Sequence, residues 1–284
     1  MYKILTKKIL NYAVTQMEIE APLVANKAKA GQFIILRVDE EGERIPLTVA
    51  GVNKENGSVK IIFQVVGATT KKLNSKEVGE CLQDFVGPLG TATHIEGLKK
   101  VCIIGGGVGC AIAMPVAAAL KEQGAEVTSV IGFRNKDLVI LEDEFKSLSD
   151  KLFLMTDDGS YGEKGNVCMP LQNLLENGEK FDMIIAIGPL VMMKFVVETA
   201  RPYGVPVTVS MNPIMIDGTG MCGGCRLTLN QEGKRVTKFA CVDGPDFNGY
   251  EVDFDEAMSR GRTYADFERH AYEETCNLFG KEVK

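Results

Sequence analysis

A chain of 284 residues, 45% hydrophobic and 25% charged, is long enough for two ordinary domains and a small further module with normal cores. Its net charge of −6 and the lack of a basic face argue against a nucleic-acid partner. No stretch of about 18 consecutive apolar residues is present to span a membrane. Met1 to Lys8 also lacks the apolar segment of a signal peptide, so the expected location is the cytoplasm.

Up to about residue 95 the signals are those of strands, at Tyr2–Ile9, Gln32–Val38, Leu47–Val52 and Val59–Val66, with Asn and Gly turns between them. They predict a small antiparallel β-barrel over residues 1–97, closed by an exposed turn at Gly87-Pro88-Leu89-Gly90. Over 98–210 strands and helices alternate. Strands are expected at Val101–Ile104, Glu126–Phe133, Leu152–Met155, Met183–Ile187 and Val205–Val209, and helices at Cys110–Glu122, Leu141–Ser149, Met169–Leu175 and Val191–Ala200. Apolar strands alternating with helices predict a doubly wound parallel α/β domain. Residues 211–284 hold a Gly-rich loop, a strand pair around Glu232-Gly233 and a C-terminal helical tail.

Gly105-Gly106-Gly107-Val108-Gly109 follows a predicted strand and opens a predicted helix. That context offers a nucleotide pyrophosphate close backbone approach and unpaired N–H groups. Arg134, rather than an acid, ends the second strand, which by the plain rule accommodates a 2′-phosphate. Gly188-Pro189 and the polar turn Thr156 to Ser160 lie at strand C-termini, where open α/β sheets bind ligands. In the first domain a strand hydroxyl such as Thr48 can hydrogen-bond a flavin ring. Gly67 through Thr70 can present N–H and OH groups to a pyrophosphate.

The eight cysteines divide in two. Cys81, Cys102, Cys110, Cys168 and Cys276 are scattered and read as small buried hydrophobes in a reducing compartment. Cys222 and Cys225 form a C-x2-C pair in the loop Asp217-Gly218-Thr219-Gly220-Met221-Cys222-Gly223-Gly224-Cys225, followed by Cys241. Three thiolates and a carboxylate on a Gly-rich loop suit either an iron–sulfur cluster or a structural zinc. The zinc alternative makes the chain a zinc-stapled NAD(P)-sensing module without redox activity.

The order of parts, Pro46-Leu47-Thr48, then Gly105 to Gly109, then the Cys loop, resembles the ferredoxin-reductase-type flavoproteins with a C-terminal [2Fe–2S] cluster. Met211-Asn212-Pro213-Ile214-Met215, the Asp217 loop and Phe239-Ala240-Cys241-Val242-Asp243-Gly244-Pro245 look most like the small subunits of NADH-dependent reduced ferredoxin:NADP oxidoreductases. The electron-transfer subunits of dihydroorotate dehydrogenase are the near alternative; they carry a Cys where this chain has Asp217.

The resemblance implies an oxidoreductase subunit that moves electrons between NAD(H), FAD and the cluster, in an electron-bifurcating heterodimer. Its larger FAD/[4Fe–4S] partner subunit would react with ferredoxin and NADPH. By position, Pro46, Leu47, Thr48, Ile62, Phe63, Gln64, Thr69 and Thr70 would bind FAD. Gly105, Gly106, Gly107, Gly109, Asp158 and Gly188 would line the nicotinamide-nucleotide site, and Asp217, Cys222, Cys225 and Cys241 would hold the cluster. Arg44 lies four residues before Thr48 where the family sets an arginine three before. That offset puts it on the opposite strand face from the family's arginine.

Overall fold

The computed structural model describes residues 1–281, with side chains through Glu273. The first domain is built from strands β1 (Tyr2–Asn11), β2 (Val14–Glu20), β3 (Phe33–Arg37), β4 (Arg44–Thr48), β5 (Gly51–Asn53), β6 (Ser58–Gln64), β7 (Cys81–Leu82) and β8 (Asp84–Leu89). Short helices α1 (Pro22–Ala25) and α2 (Ala68–Ser75) interrupt them. The strands make two antiparallel sheets, ordered β5-β6-β2-β1-β7 and β4-β3-β8. The chain crosses between the sheets three times, through residues 21–32, at Val49-Ala50 and at Gln83. Ile4, Met17, Ile19, Ile34, Leu36, Ile61, Phe63 and Phe85 pack into one core there.

Two expectations change. The single strand expected over Leu47–Val52 breaks at the Val49-Ala50 corner, because the chain must leave one sheet for the other. Gly87-Pro88-Leu89, expected as a turn, lies inside β8. That strand is an edge of its sheet, where a residue without an N–H costs no ladder bond.

The second domain follows the predicted alternation closely. Its elements are β9 (Lys100–Gly106), α3 (Gly109–Glu122), β10 (Glu126–Phe133), α4 (Glu142–Leu148), β11 (Lys151–Thr156), β12 (Glu163–Lys164), α5 (Cys168–Glu176), β13 (Met183–Ile187), α6 (Leu190–Ala200) and β14 (Val207–Ser210). The five main parallel strands run β11-β10-β9-β13-β14, the order third, second, first, fourth, fifth of a doubly wound sheet, and the two-residue β12 adds a parallel edge beside β11. Val101 and Ile103 face α3 and α4, while Cys102 and Ile104 face α5 and α6. Both faces of the strand are therefore buried, which is why its sequence is uninterruptedly apolar.

The C-terminal segment adds the hairpin β15 (Arg226–Gln231) and β16 (Lys234–Phe239), strand β17 (Asp246–Asn248), and helices α7 (Phe254–Gly261) and α8 (Ala265–Lys281). Glu232 and Gly233 both have positive φ, +50° and +76°, the signature of a two-residue type I′ turn. β17 joins the edge of the large sheet, antiparallel to β14. α8 reaches back to α2, where the Lys71 ammonium lies over the Tyr272 ring at 5.6 Å. Among the described residues no helix is long and apolar enough to cross a membrane.

Candidate functional site

The loop between β14 and β15 is wound tightly enough to bring its donors together. Positive φ at Gly218, Gly220 and Gly223 turns the backbone three times within six residues. Asp217 accepts hydrogen bonds from the amides of Thr219 and Cys222, each at 3.0 Å, and from the Thr219 hydroxyl at 3.2 Å. These contacts, the Thr219 amide foremost, hold its carboxyl below the usual carboxylate range.

The four donors sit as two pairs. The Cys222 sulfur lies 3.5 Å from Asp217 Oδ1 at the exposed end of the loop. The sulfurs of Cys225 and Cys241, both buried, are 3.1 Å apart. Among the described residues no three His, Cys, Asp or Glu side chains surround one point as a single ion requires. Two ligands on each of two irons is the donor arrangement of a [2Fe–2S] centre, and this two-and-two grouping suits it better than a single ion. Burial and the adjacent Cys225 push the Cys241 thiol up to about 12. Forming a thiolate there therefore calls for positive charge at the site.

This loop is packed on the first domain. Paired residues of adjacent strands share a face: Phe33 with Thr48, Ile35 with Pro46, Arg37 with Arg44. Phe33 and Ile35 belong to the apolar cluster that also holds Met215, Cys225 and Cys241, whereas Ile34 and Leu36 fill the first domain's own core. Pro46 and Thr48 are thus on the side of the Cys loop, and Leu47 packs against the first domain's core. A Cβ on Gly218 would come within 2.7 Å of Leu89 and 2.8 Å of Ile35, so the loop approaches this sheet as closely as a glycine allows. Arg44 shares the face of Pro46 and Thr48, and its Nε–H donates to the Ile216 carbonyl at 2.9 Å.

The other residues expected at the flavin line the neighbouring strand and helix. Ile62 packs toward α3, Phe63 is buried in the first domain's core, and Gln64 is half-buried at the end of β6. Thr69 and Thr70 lie in the first turn of α2. Thr70 caps the helix, its hydroxyl accepting from the Val66 and Gly67 amides at 3.0 Å, and the Thr69 hydroxyl donates to Glu43 at 2.8 Å. A Cβ added to Gly67 would meet none of the described residues within 4 Å, which leaves this helix start open to a phosphate on that side.

At the switch between β9 and β13 the backbone is bare. A Cβ on Gly109 would meet the Ile187 carbonyl at 2.4 Å, and one on Gly188 would meet Gly106 Cα at 3.1 Å. Gly105 lies at the end of β9, and Gly107, at φ +56°, turns its open side outward with no atom within 4 Å. α3 begins there without a side-chain cap. Such a crevice, outside strand C-termini with free helix N–H groups, suits a dinucleotide pyrophosphate. Asp158 stands at the end of β11, its carboxylate accepting from the Ser160 hydroxyl at 2.6 Å and amide at 2.9 Å. Those two bonds hold its carboxyl below the usual range.

Of the scattered cysteines, Cys102 and Cys110 are fully buried, and burial raises both thiols, Cys102 to about 12. Cys81 and Cys168 are half-buried. Cys276 lies outside the residues whose side chains are described. Sequence reasoning missed Ile35 and Leu89 as the floor beneath the Cys loop; the uninterrupted apolar run Phe33-Ile34-Ile35-Leu36 was the available sign of a strand covered on both faces. It also missed Glu43, whose role no local pattern announces.

The iron–sulfur cluster binding domain of dihydroorotate dehydrogenase B matches residues 212–253. The chain is 48% identical over 263 residues to a Thermotoga maritima protein named dihydroorotate dehydrogenase B (NAD(+)), electron transfer subunit homolog, covering 93% of this chain and 91% of that one. It is 33% identical over 254 residues to the dihydroorotate dehydrogenase B electron transfer subunit of Streptococcus pneumoniae R6, covering 86% and 94%. Among solved structures, a chain of the NADH-dependent reduced ferredoxin–NADP oxidoreductase, solved in work on flavin-based electron bifurcation, matches with TM-score 0.89 and 46% identity over 96% of this chain and 97% of that one. A cytochrome P450 reductase of Amycolatopsis, 19% identical with TM-score 0.61 over 72% and 66%, shares the fold.

Proposed function

The chain belongs to the family of dihydroorotate dehydrogenase B electron transfer subunits and their homologues, and from that premise we propose what it carries and where. It is an electron-transfer flavoprotein subunit working with NAD(H), FAD and a [2Fe–2S] centre, in an assembly of the NADH-dependent reduced ferredoxin–NADP oxidoreductase type. When bound, the nicotinamide and flavin exchange electrons in pairs and the iron–sulfur centre takes them singly.

This chain's residues supply position. The Gly105 to Gly109 turn and Gly188 would hold the nucleotide pyrophosphate, with Asp158 at the rim of the crevice. Pro46 and Thr48 would face the flavin, and the start of α2 its phosphates. Asp217 with Cys222, and Cys225 with Cys241, would hold one iron each. The observation that carries this reading is the Asp217 loop pressed on the face of the sheet that bears Pro46 and Thr48. One short contact joins a candidate flavin surface to a candidate metal centre.

The relatives are subunits, which implies a larger partner. The finer proposal is that ferredoxin and NADPH react on that partner, a FAD/[4Fe–4S] protein of the cytoplasm, and that this chain alone does not reduce ferredoxin efficiently. Asp217, in place of a cysteine, favours this assembly over a dihydroorotate-linked one. The test is anaerobic purification of the chain followed by an absorption spectrum, iron and sulfide analysis and titration with NADH. The expected result is a flavin band bleached by NADH, and iron and sulfide in the ratio of a [2Fe–2S] centre. A colourless zinc protein refutes the proposal, and co-purification with a dihydroorotate-oxidising partner would assign the chain to that enzyme instead.

A further inference from the structure

Two consecutive residues of the β3–β4 hairpin reach in opposite directions. Glu43 accepts a hydrogen bond from the Thr69 hydroxyl, 2.8 Å away in the first turn of α2, and Asp39, earlier in the same hairpin, pairs with Lys72 of that helix. Arg44 turns to the other side and donates through Nε–H to the Ile216 carbonyl, 172 positions later in the chain. Ile216 immediately precedes Asp217, the first donor of the Cys loop. On the far side of Asp217, Gly218 rests on Ile35 and Leu89 of the same three-stranded sheet. Asp217 is therefore flanked by two anchor points, one polar and one apolar, both on the first domain.

We propose that Arg44 is a positioning residue: by gripping Ile216 it fixes Asp217 and the iron it would bind at a set distance from the flavin face of β4. Through Glu43, its neighbour, the same hairpin holds the helix start that would bind the flavin's phosphates. The two cofactor sites are thus referred to one strand end. This rests on the function proposed above. The competing role for Arg44 is a direct contact to a flavin phosphate, and the two roles separate experimentally.

The test compares the full chain, purified anaerobically with its cofactors, with Arg44→Ala and Arg44→Lys. Flavin content, the EPR spectrum and midpoint potential of the reduced centre, and amide exchange over residues 216–222 are read in parallel. With Arg44→Ala, flavin content is retained and the EPR signal and potential shift. Amides around Asp217 exchange about tenfold faster, the factor carried by loss of one hydrogen bond to a charged group. Arg44→Lys, which keeps the charge but not the Nε–H geometry, falls between. Loss of flavin with an unchanged EPR signal overturns the proposal in favour of a phosphate contact, and unchanged readouts throughout overturn it outright. A parent chain that holds neither flavin nor iron would instead refute the proposed function itself, before any variant is compared.

Discussion

Gly218 and Gly233 provide a matched pair for measuring how tightly the Cys loop is held on the first domain. Both have left-handed backbones, φ +79° and +76°, so an alanine at either position carries about the same strain, roughly 1–2 kcal/mol. Their surroundings differ. A Cβ at Gly233 meets nothing within 4 Å, whereas one at Gly218 lands 2.7 Å from Leu89 Cδ1 and 2.8 Å from Ile35 Cδ1. Both atoms are side-chain ends, but Ile35 is fully buried with little room to yield, so crowding adds about 1–3 kcal/mol at Gly218 alone. The energy is local and should lift the loop rather than unfold the chain. Site-resolved amide exchange at Asp217 to Cys225 is therefore the assay. Relative to Gly233→Ala, Gly218→Ala should speed exchange there by roughly 5- to 150-fold, the equivalent of that crowding term, and lower the bound iron. Equal effects of the two substitutions on the loop would show that the contact with Ile35 and Leu89 is slack, and would remove the basis for a short path between the two cofactors.

Three further outcomes are expected. Asp217→Cys should change the EPR spectrum and potential of the reduced centre, because a carboxylate is a harder donor than a thiolate; identical spectra would mean that another group is the fourth ligand. Asp246 accepts a 2.6 Å hydrogen bond from Thr93, and burial raises its pKa in the folded chain. A raised carboxyl pKa leaves stability unaffected below the unfolded pKa and lowers it as pH rises through that value towards the folded one. Asp246→Asn should accordingly melt higher than the parent at pH 7 and no differently near pH 3, and a constant difference across that range would contradict the assignment. Gly109→Ala places a methyl 2.4 Å from the Ile187 carbonyl, a backbone atom that cannot yield, so α3 must tilt away from Gly188. NADH binding, followed by titration calorimetry, should weaken while flavin content stays at the parent's level.

The parallel domain could be read from sequence nearly residue by residue because its strands are buried on both faces and its helices carry an apolar stripe. Glu126–Phe133 and Met183–Ile187 appear where the pattern puts them. The first domain was less legible. β2, Val-Thr-Gln-Met-Glu-Ile-Glu, interleaves charge with apolar side chains and escaped notice. α2 buries only Leu73 and so has no stripe to detect. The Cys loop stood out because its donors are chemically uncommon and close in sequence, while the surface that holds it did not. The contact from Arg44 ends on a main-chain carbonyl, a group every residue possesses, and the bond from Thr69 to Glu43 spans 26 positions. Neither leaves a local signature.

Strand β17 has a bearing on how such proteins can be divided or recombined. It comes from the segment that carries Cys241, yet it completes the sheet of the nucleotide-binding domain by pairing along β14, from Thr208 to Ser210. A gene cut at residue 210 would leave β14 as an open edge with unpaired amides and carbonyls, a template for aggregation. The terminal segment would lose in turn the Val207 and Val209 surface against which Phe247 is buried. A graft of this terminal segment onto another reductase therefore has to bring a compatible β14 with it, and the transferable piece is larger than the run of residues that holds the metal.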